Sequence, residues 1–178
     1  MNTLPELISA QVLLIVAPEA AWPGMLDLSA RLSLRGALRV LDGGNQYNAY
    51  HVARALRRQT LDLRGALARI DLARVFTCYQ METLLLNAVP QVAPTLVLDF
   101  LATFYDENVP YAERRRLLAR CAALLQRLSR RAPVVVSARP AFPGQAERAS
   151  LLDLLARSAD QVLEAEPPPE PLTPPRLF

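Results

Sequence analysis

The sequence predicts an α/β fold: a mostly parallel sheet with helices on both faces, built as one domain. Three observations predict it. Short apolar runs alternate along the chain with segments of helical periodicity, the pattern of strands joined by crossover helices. The runs lack polar alternation, so both faces of each strand are to be buried, as in a parallel sheet. One of them, Pro94-Thr95-Leu96-Val97-Leu98-Asp99-Phe100, ends in a single carboxylate. Open α/β sheets keep their ligand crevice at the carboxyl ends of the strands, so Asp99 marks where a site belongs.

The elements follow in order. Met1 to Ala10 reads as a leader with one helical turn at Leu4 to Ile8. Gln11 to Ala17 is a buried strand, and Pro18 to Gly24 a loop held by two prolines. Met25 to Leu34 repeats apolar residues at helical spacing and closes at Gly36. Ala37 to Leu41 is the second strand, ended by Asp42-Gly43-Gly44-Asn45, a strong turn signal. Tyr47 to Arg58 and Leu61 to Ala68 read as helices, Ile70 to Phe76 as the third strand, and Tyr79 to Ala88 as a helix. The Asp99 strand follows, then a polar loop from Thr103 to Asn108. Pro110 opens the longest helix, to about Arg131, since proline suits a first turn. Val134 to Ser137 is the fifth strand, Ser150 to Ser158 a helix, and Gln161 to Glu166 the sixth strand. Residues 1–166 form the domain. The tail, Pro167 to Phe178, carries six prolines in twelve residues and cannot continue the fold.

Composition narrows the function classes. The 178 residues are 52% hydrophobic and 21% charged, which is globular, and the formal charge of +3 does not by itself demand a nucleic-acid partner. All 20 basic residues counted as Lys or Arg are arginine. Two distant cysteines, Cys78 and Cys121, and one histidine, His51, cannot assemble an ordinary zinc site, so no metal is expected. Buried thiols suit a reducing, cytoplasmic setting. No apolar run is long enough to span a bilayer, so no membrane partner is expected.

The order of elements from Gln11 to Glu166 resembles the ATPase core of the RecA/RadA recombinase family. A first strand leads into a loop and helix where that family has its P-loop. Asp42 ends the second strand, as the family's Asp-x-Glu strand does. Leu72-Ala73-Arg74-Val75-Phe76-Thr77 is similar to the family's VARAF strand, and Leu96 to Asp99 to its Walker B strand. Glu113 to Ala132 followed by Pro133 to Ala138 resembles the helix and strand before its second DNA-binding loop. Leu155 to Val162 resembles its closing helix-to-strand turn. The resemblance implies a single-domain, three-layer RecA-like P-loop fold, with the Asp99 strand near the middle and the sixth strand at an edge or antiparallel.

The phosphate machinery implied by that resemblance is missing. A P-loop needs two glycines, a lysine and a hydroxyl residue to cradle phosphates and Mg²⁺. Aligned on Gly24, these positions hold Glu19, Gly24, Met25 and Leu26. Pro23 removes a backbone donor, Glu19 opposes phosphate charge, and no lysine exists elsewhere to substitute. The family's catalytic glutamate falls at Gly44. Each loss costs on the order of a hundredfold in rate. Of the metal-binding set only Asp99 remains, and a lone carboxylate is a poor Mg²⁺ site. No catalytic residue and no cofactor is expected, ATP and Mg²⁺ included. Trp22 either fills the old pocket or packs as a loop aromatic.

Further candidates have paired readings. Asn45, Gln46, Tyr47, Asn48 and His51 cluster at the crevice edge, as ligand contacts or as turn and cap chemistry. Arg114, Arg115, Arg116, Arg120, Arg127 and Arg131 line one helix, facing nucleic-acid or partner contacts or pairing with local acids. Arg139 and Arg148 lie in a loop that matches by position a DNA-binding loop of the family; Leu101 to Asn108 matches the other. The expected function is a non-catalytic RecA-like protein acting by binding, as an accessory or scaffold in DNA recombination or repair, through a protein partner or a second copy. The alternatives are an atypical ATPase with Arg31 or Arg35 in place of the lysine, and an interaction module unrelated to DNA.

Overall fold

The computed structural model describes residues 11–90 and 92–165. The leader turn, Glu166 and the proline-rich tail lie outside the described residues. Six strands form one all-parallel sheet: β1 (Val12–Val16), β2 (Leu38–Asp42), β3 (Ile70–Arg74), β4 (Thr95–Leu98), β5 (Val134–Ala138) and β6 (Gln161–Glu164), in the order β3-β2-β4-β5-β1-β6. The helices are α1 (Trp22–Arg35), α2 (Ala49–Arg57), α3 (Leu63–Ala68), α4 (Cys78–Asn87), α5 (Tyr111–Ser129) and α6 (Ala146–Ser158).

Strand alternation splits the core into two layers. Val12, Leu14 and Val16 of β1 face α4, α5 and α6, together with Val97, Val134 and Val136. Leu13 and Ile15 face the other way, with Val40, Leu96 and Val135, against α1, α2 and Ala66 of α3. Each fully buried Leu, Val or Met contributes about 1.5–3 kcal/mol, so this two-sided burial is why the central strands read as unbroken apolar runs. The edge strands differ: β6 is exposed throughout and β3 nearly so.

The fold class is therefore α/β, a sheet covered by helices on both faces and compatible with a RecA-like three-layer arrangement. β4 is third of six, and β6 is an edge strand that runs parallel to β1. Several boundaries move, including the following three. Helix α1 begins at Trp22 because Pro23 is accommodated in its first turn. Strand β3 stops at Arg74, leaving Phe76 68% exposed beyond the sheet. Helix α6 starts at Ala146, so the loop after β5 is shorter than the prolines implied.

The carboxyl ends of β1, β2, β4 and β5 gather at one rim of the sheet. Four loops leave from it, after Val16, Asp42, Leu98 and Ala138.

Candidate functional site

Two buried carboxylates stand side by side at this rim, since β2 and β4 are neighbours with Asp42 in register with Leu98. Asp42 is fully buried and organises its own loop. Its Oδ1 accepts the Gln46 N–H at 2.9 Å and its Oδ2 the Tyr47 N–H at 2.9 Å. Arg74 Nε lies 3.3 Å from the same Oδ2. Asn45 takes the left-handed conformation that the turn needs, with φ 53°. Asn48 caps α2 by accepting the His51 N–H.

Asp99 is also fully buried and has left-handed backbone, φ 47°. Its N–H donates to Ser137 Oγ at 3.0 Å. Its Oδ2 meets Arg139 Nη2 at 2.7 Å, while Oδ1 is buried without a hydrogen-bond partner among the described residues. Burial pushes the Asp99 carboxyl up from the ordinary aspartate range, the Arg139 charge and hydrogen bond pull it back, and the Asp42 charge adds to the rise.

Gly44 packs directly on this carboxylate. A Cβ at position 44 would lie 2.6 Å from both Asp99 Cβ and Oδ2. Glycine is required there by close approach. With Asp99 in this conformation, position 44 has no room for a glutamate.

Gln46 joins the loops. Its amide oxygen accepts from Arg139 Nη2 at 2.6 Å and its nitrogen donates to the Glu19 carbonyl at 3.2 Å. The opposite orientation would set N–H against N–H, so this one prevails. A chain of contacts thus runs from Glu19 through Gln46 and Arg139 to Asp99, linking the loops after β1, β2, β5 and β4.

The segment between β1 and α1, Ala17 to Ala21, contains no glycine yet adopts a left-handed path. Glu19, Ala20 and Ala21 have φ of 52°, 53° and 53°. Each costs roughly 1–2 kcal/mol for an L-residue, so the surrounding packing must hold the turn; Ala20 is fully buried. The Ala20 N–H closes on the Ala17 carbonyl and the Trp22 N–H on the Glu19 carbonyl. Pro23 has no N–H to offer. Met25 and Leu26 are fully buried in the core beneath α1. A lysine at 25 would put an ammonium into that core, which costs several kcal/mol.

Above this network lies a cleft of about 640 Å³ lined by Glu19, Trp22, Asn45 to Ala49 and Arg139. Trp22 forms part of its wall: Nε1–H donates to the Gln46 carbonyl at 2.5 Å, and the ring sits 5.9 Å from His51. His51 Nε2 is 2.9 Å from Asp27 Oδ1. Gly24 lies at the foot of α1, off this cleft, and lines the groove between α1 and α2. Arg31 lines that groove too. Arg35 lies with Gly36, Pro94 and Pro133, at the amino ends of the strands and so at the rim opposite Asp99.

The α5 arginines are dispersed among internal partners. Arg114 is buried, donating to the Val109 carbonyl at 2.9 Å and to Glu147 at 2.6 Å. Arg116 pairs with Glu113 and Arg120 with Glu82. Arg127 donates to carbonyls at the end of α4. Arg115 lies over Tyr111, and Arg148 over Tyr105 at 4.7 Å. Arg131 is exposed. Arg131 apart, these side chains serve as pairs and caps, and Arg114 cannot reach a ligand without unfolding its corner. Residues 100–104 of the loop after β4 form a tight turn whose Phe100, Leu101 and Phe104 are fully buried.

Sequence reasoning missed the partner of Asp99. Arg139 was singled out for its place in a loop, and nothing local to it signals an ion pair with a residue on the neighbouring strand. The adjacency of β4 and β5 was the missing information.

Among the described residues no group of three or more His, Cys, Asp or Glu side chains converges, and no helix is long and apolar enough to cross a membrane. No protein-family model matches the chain, and no curated protein matches it. The likeness to recombinases therefore rests on element order and strand-end residues alone. The residues present do not fit Mg–ATP: Met25 and Leu26, at the lysine and hydroxyl positions that the resemblance implies, are core, the Ala20 and Trp22 N–H groups are held by loop carbonyls, and Arg139 already pairs with Asp99.

Proposed function

We propose that this is a non-catalytic protein of RecA-like architecture that acts by binding. The observation that carries the reading is the Asp99–Arg139 pair, locked under Gln46 and against Gly44. Phosphoryl transfer needs positioned cations and a positioned water. Here the one carboxylate suited to a metal holds an arginine from its own chain, and the position for a water-orienting glutamate is filled by the carboxylate itself. The rim of the sheet has become a set of cross-links between loops. By resemblance, the role is that of an accessory or scaffold in DNA recombination or repair, working through a protein partner or a second copy.

Steady-state phosphate release tests this. With ATP or GTP and Mg²⁺, the rate is expected to equal that of a buffer blank, with or without added DNA. Release above the blank that is lost in an Arg139→Ala variant would refute the reading, because it would make Arg139 part of a working site.

A further inference from the structure

The arginines of the two helical layers are treated differently. In the layer of α4, α5 and α6, counted with the residues that close each helix, they are Arg114, 115, 116, 120, 127, 130, 131, 148 and 157, and all but Arg130 and Arg131 have an internal partner. Four pair with Glu147, Glu113, Glu82 and Asp153, two lie over tyrosine rings, and Arg127 holds backbone carbonyls.

The layer of α1, α2 and α3 is the opposite case. Its arginines are Arg31, 35, 54, 57, 58, 64 and 69, all exposed. Arg69 donates to the carbonyls of Ser33 and Leu34. The side chains of the other six make no ion pair, hydrogen bond or cation–π contact among the described residues. Only two acids stand on these helices and their links. Asp27 is held by His51, and Asp62 caps α3 through the Gly65 N–H. Seven arginines against two aspartates exceeds the +3 of the whole chain, so the remainder of the protein is acidic. A chain-wide preference for arginine over lysine does not explain this, since the α4–α6 layer carries more arginines and leaves only two of them without a partner among the described residues.

The unpaired set is also laid out as a surface. Arg31 and Arg35 are one turn apart on α1, and Arg54 and Arg57 follow Tyr50 on one face of α2. Arg31 and Arg58 share the walls of a groove of about 990 Å³ between α1 and α2, which Glu19 and Asp27 also line. Tyr50 is 72% exposed among these cations. An aromatic face set between guanidinium groups suits stacked bases on a phosphate backbone. An anionic membrane would need an apolar band as well, and this layer exposes only Tyr50 and Leu61 as large hydrophobic groups.

We propose that the outer face of α1, α2 and α3 binds the phosphate backbone of a nucleic acid. This face is a helix surface, separate from the strand-end cleft and from the loops after β4 and β5, and the proposal does not depend on how the cleft is read.

The test is fluorescence anisotropy with a labelled oligonucleotide of about 30 nucleotides, single-stranded and duplex, from about 50 to about 200 mM salt. Wild-type affinity is expected to fall steeply with salt. The variant Arg54→Gln/Arg57→Gln/Arg58→Gln is expected to bind at least tenfold more weakly and to lower the log–log salt slope by about 2–3. The matched variant Arg115→Gln/Arg130→Gln/Arg131→Gln removes equal charge from the other layer and is expected to leave binding unchanged. Circular dichroism of both variants checks folding. No binding, equal weakening in both variants, or binding to anionic vesicles without binding to either oligonucleotide would overturn the proposal.

Discussion

Adding one methyl group at position 44 should damage the site from inside. In Gly44→Ala the new Cβ would stand 2.6 Å from Asp99 Cβ and Oδ2 and 3.0 Å from Cγ. Carbon atoms prefer about 3.5–4.0 Å, so something must move by about 1 Å. The carboxylate oxygen alone could swing away, but Asp99 Cβ is fixed by its backbone. That backbone is pinned by the N–H to Ser137 Oγ and by burial. Overpacking costs about 1–3 kcal/mol, and we expect the upper end because the shift also misaligns the pair with Arg139. Urea denaturation gives the number. Gly24→Ala is the control: nothing lies within 4 Å of its Cβ, so its stability should be unchanged or slightly higher. Asp99→Gly, tolerated at positive φ, should relieve much of the Gly44→Ala cost in the double variant. A Gly44→Ala protein within about 0.5 kcal/mol of wild type would refute the reasoning, as would equal cost with and without Asp99.

Three further outcomes are expected. Arg114→Ala should lower stability by about 2 kcal/mol, because it strands the buried carbonyl of Phe104 and the half-buried one of Val109. Arg116→Ala, on the exposed face of the same helix, should leave the melting temperature unchanged. The thiols should resist Ellman's reagent at pH 8 until the protein unfolds, since both are buried and Cys121 is pushed up to about 12. For pH, Asp99 binds its proton more tightly folded than unfolded. The stability it adds by being protonated is present below the ordinary aspartate range and is lost as pH rises through its raised folded value. A melting series across acid pH should show that fall in wild type and lack it in Asp99→Asn.

Much of the fold was legible because burial on both faces leaves a plain mark. β1, β2, β4 and β5 are unbroken apolar runs, and each ends within a few residues of its expected bound. The edge strands were harder: β3 and β6 carry exposed residues, and nothing in Gln161 to Glu164 marks it as a parallel edge. The site was legible in part. Asp42, Asp99 and Gly44 stand together because strand ends converge, and Met25 and Leu26 point into the core as apolar residues should. What the sequence did not carry was long-range pairing. Arg139 reaches Asp99 only because β5 lies beside β4, and Gln46 reaches both Glu19 and Arg139 only across a closed rim. The left-handed turn at Glu19 to Ala21 was also invisible, since no glycine signals it. The α5 arginines read as a free stripe because their acids, Glu82 and Glu147, sit on other helices. Arg31 and Arg35 read only as stand-ins for a lysine, and Arg54, Arg57 and Arg58 of α2 and its end carry no local signal that they lack acidic partners.

The central claim is that Arg139, and no metal–nucleotide complex, is the countercharge of Asp99. Equilibrium titration with Mg–ATP tests it most directly, with Trp22, the sole tryptophan and part of the cleft wall, as the fluorescent reporter. No saturable change in emission is expected up to millimolar nucleotide, matched by no heat in a calorimeter. Saturable micromolar binding that requires Mg²⁺ and is abolished by Asp99→Asn would contradict it.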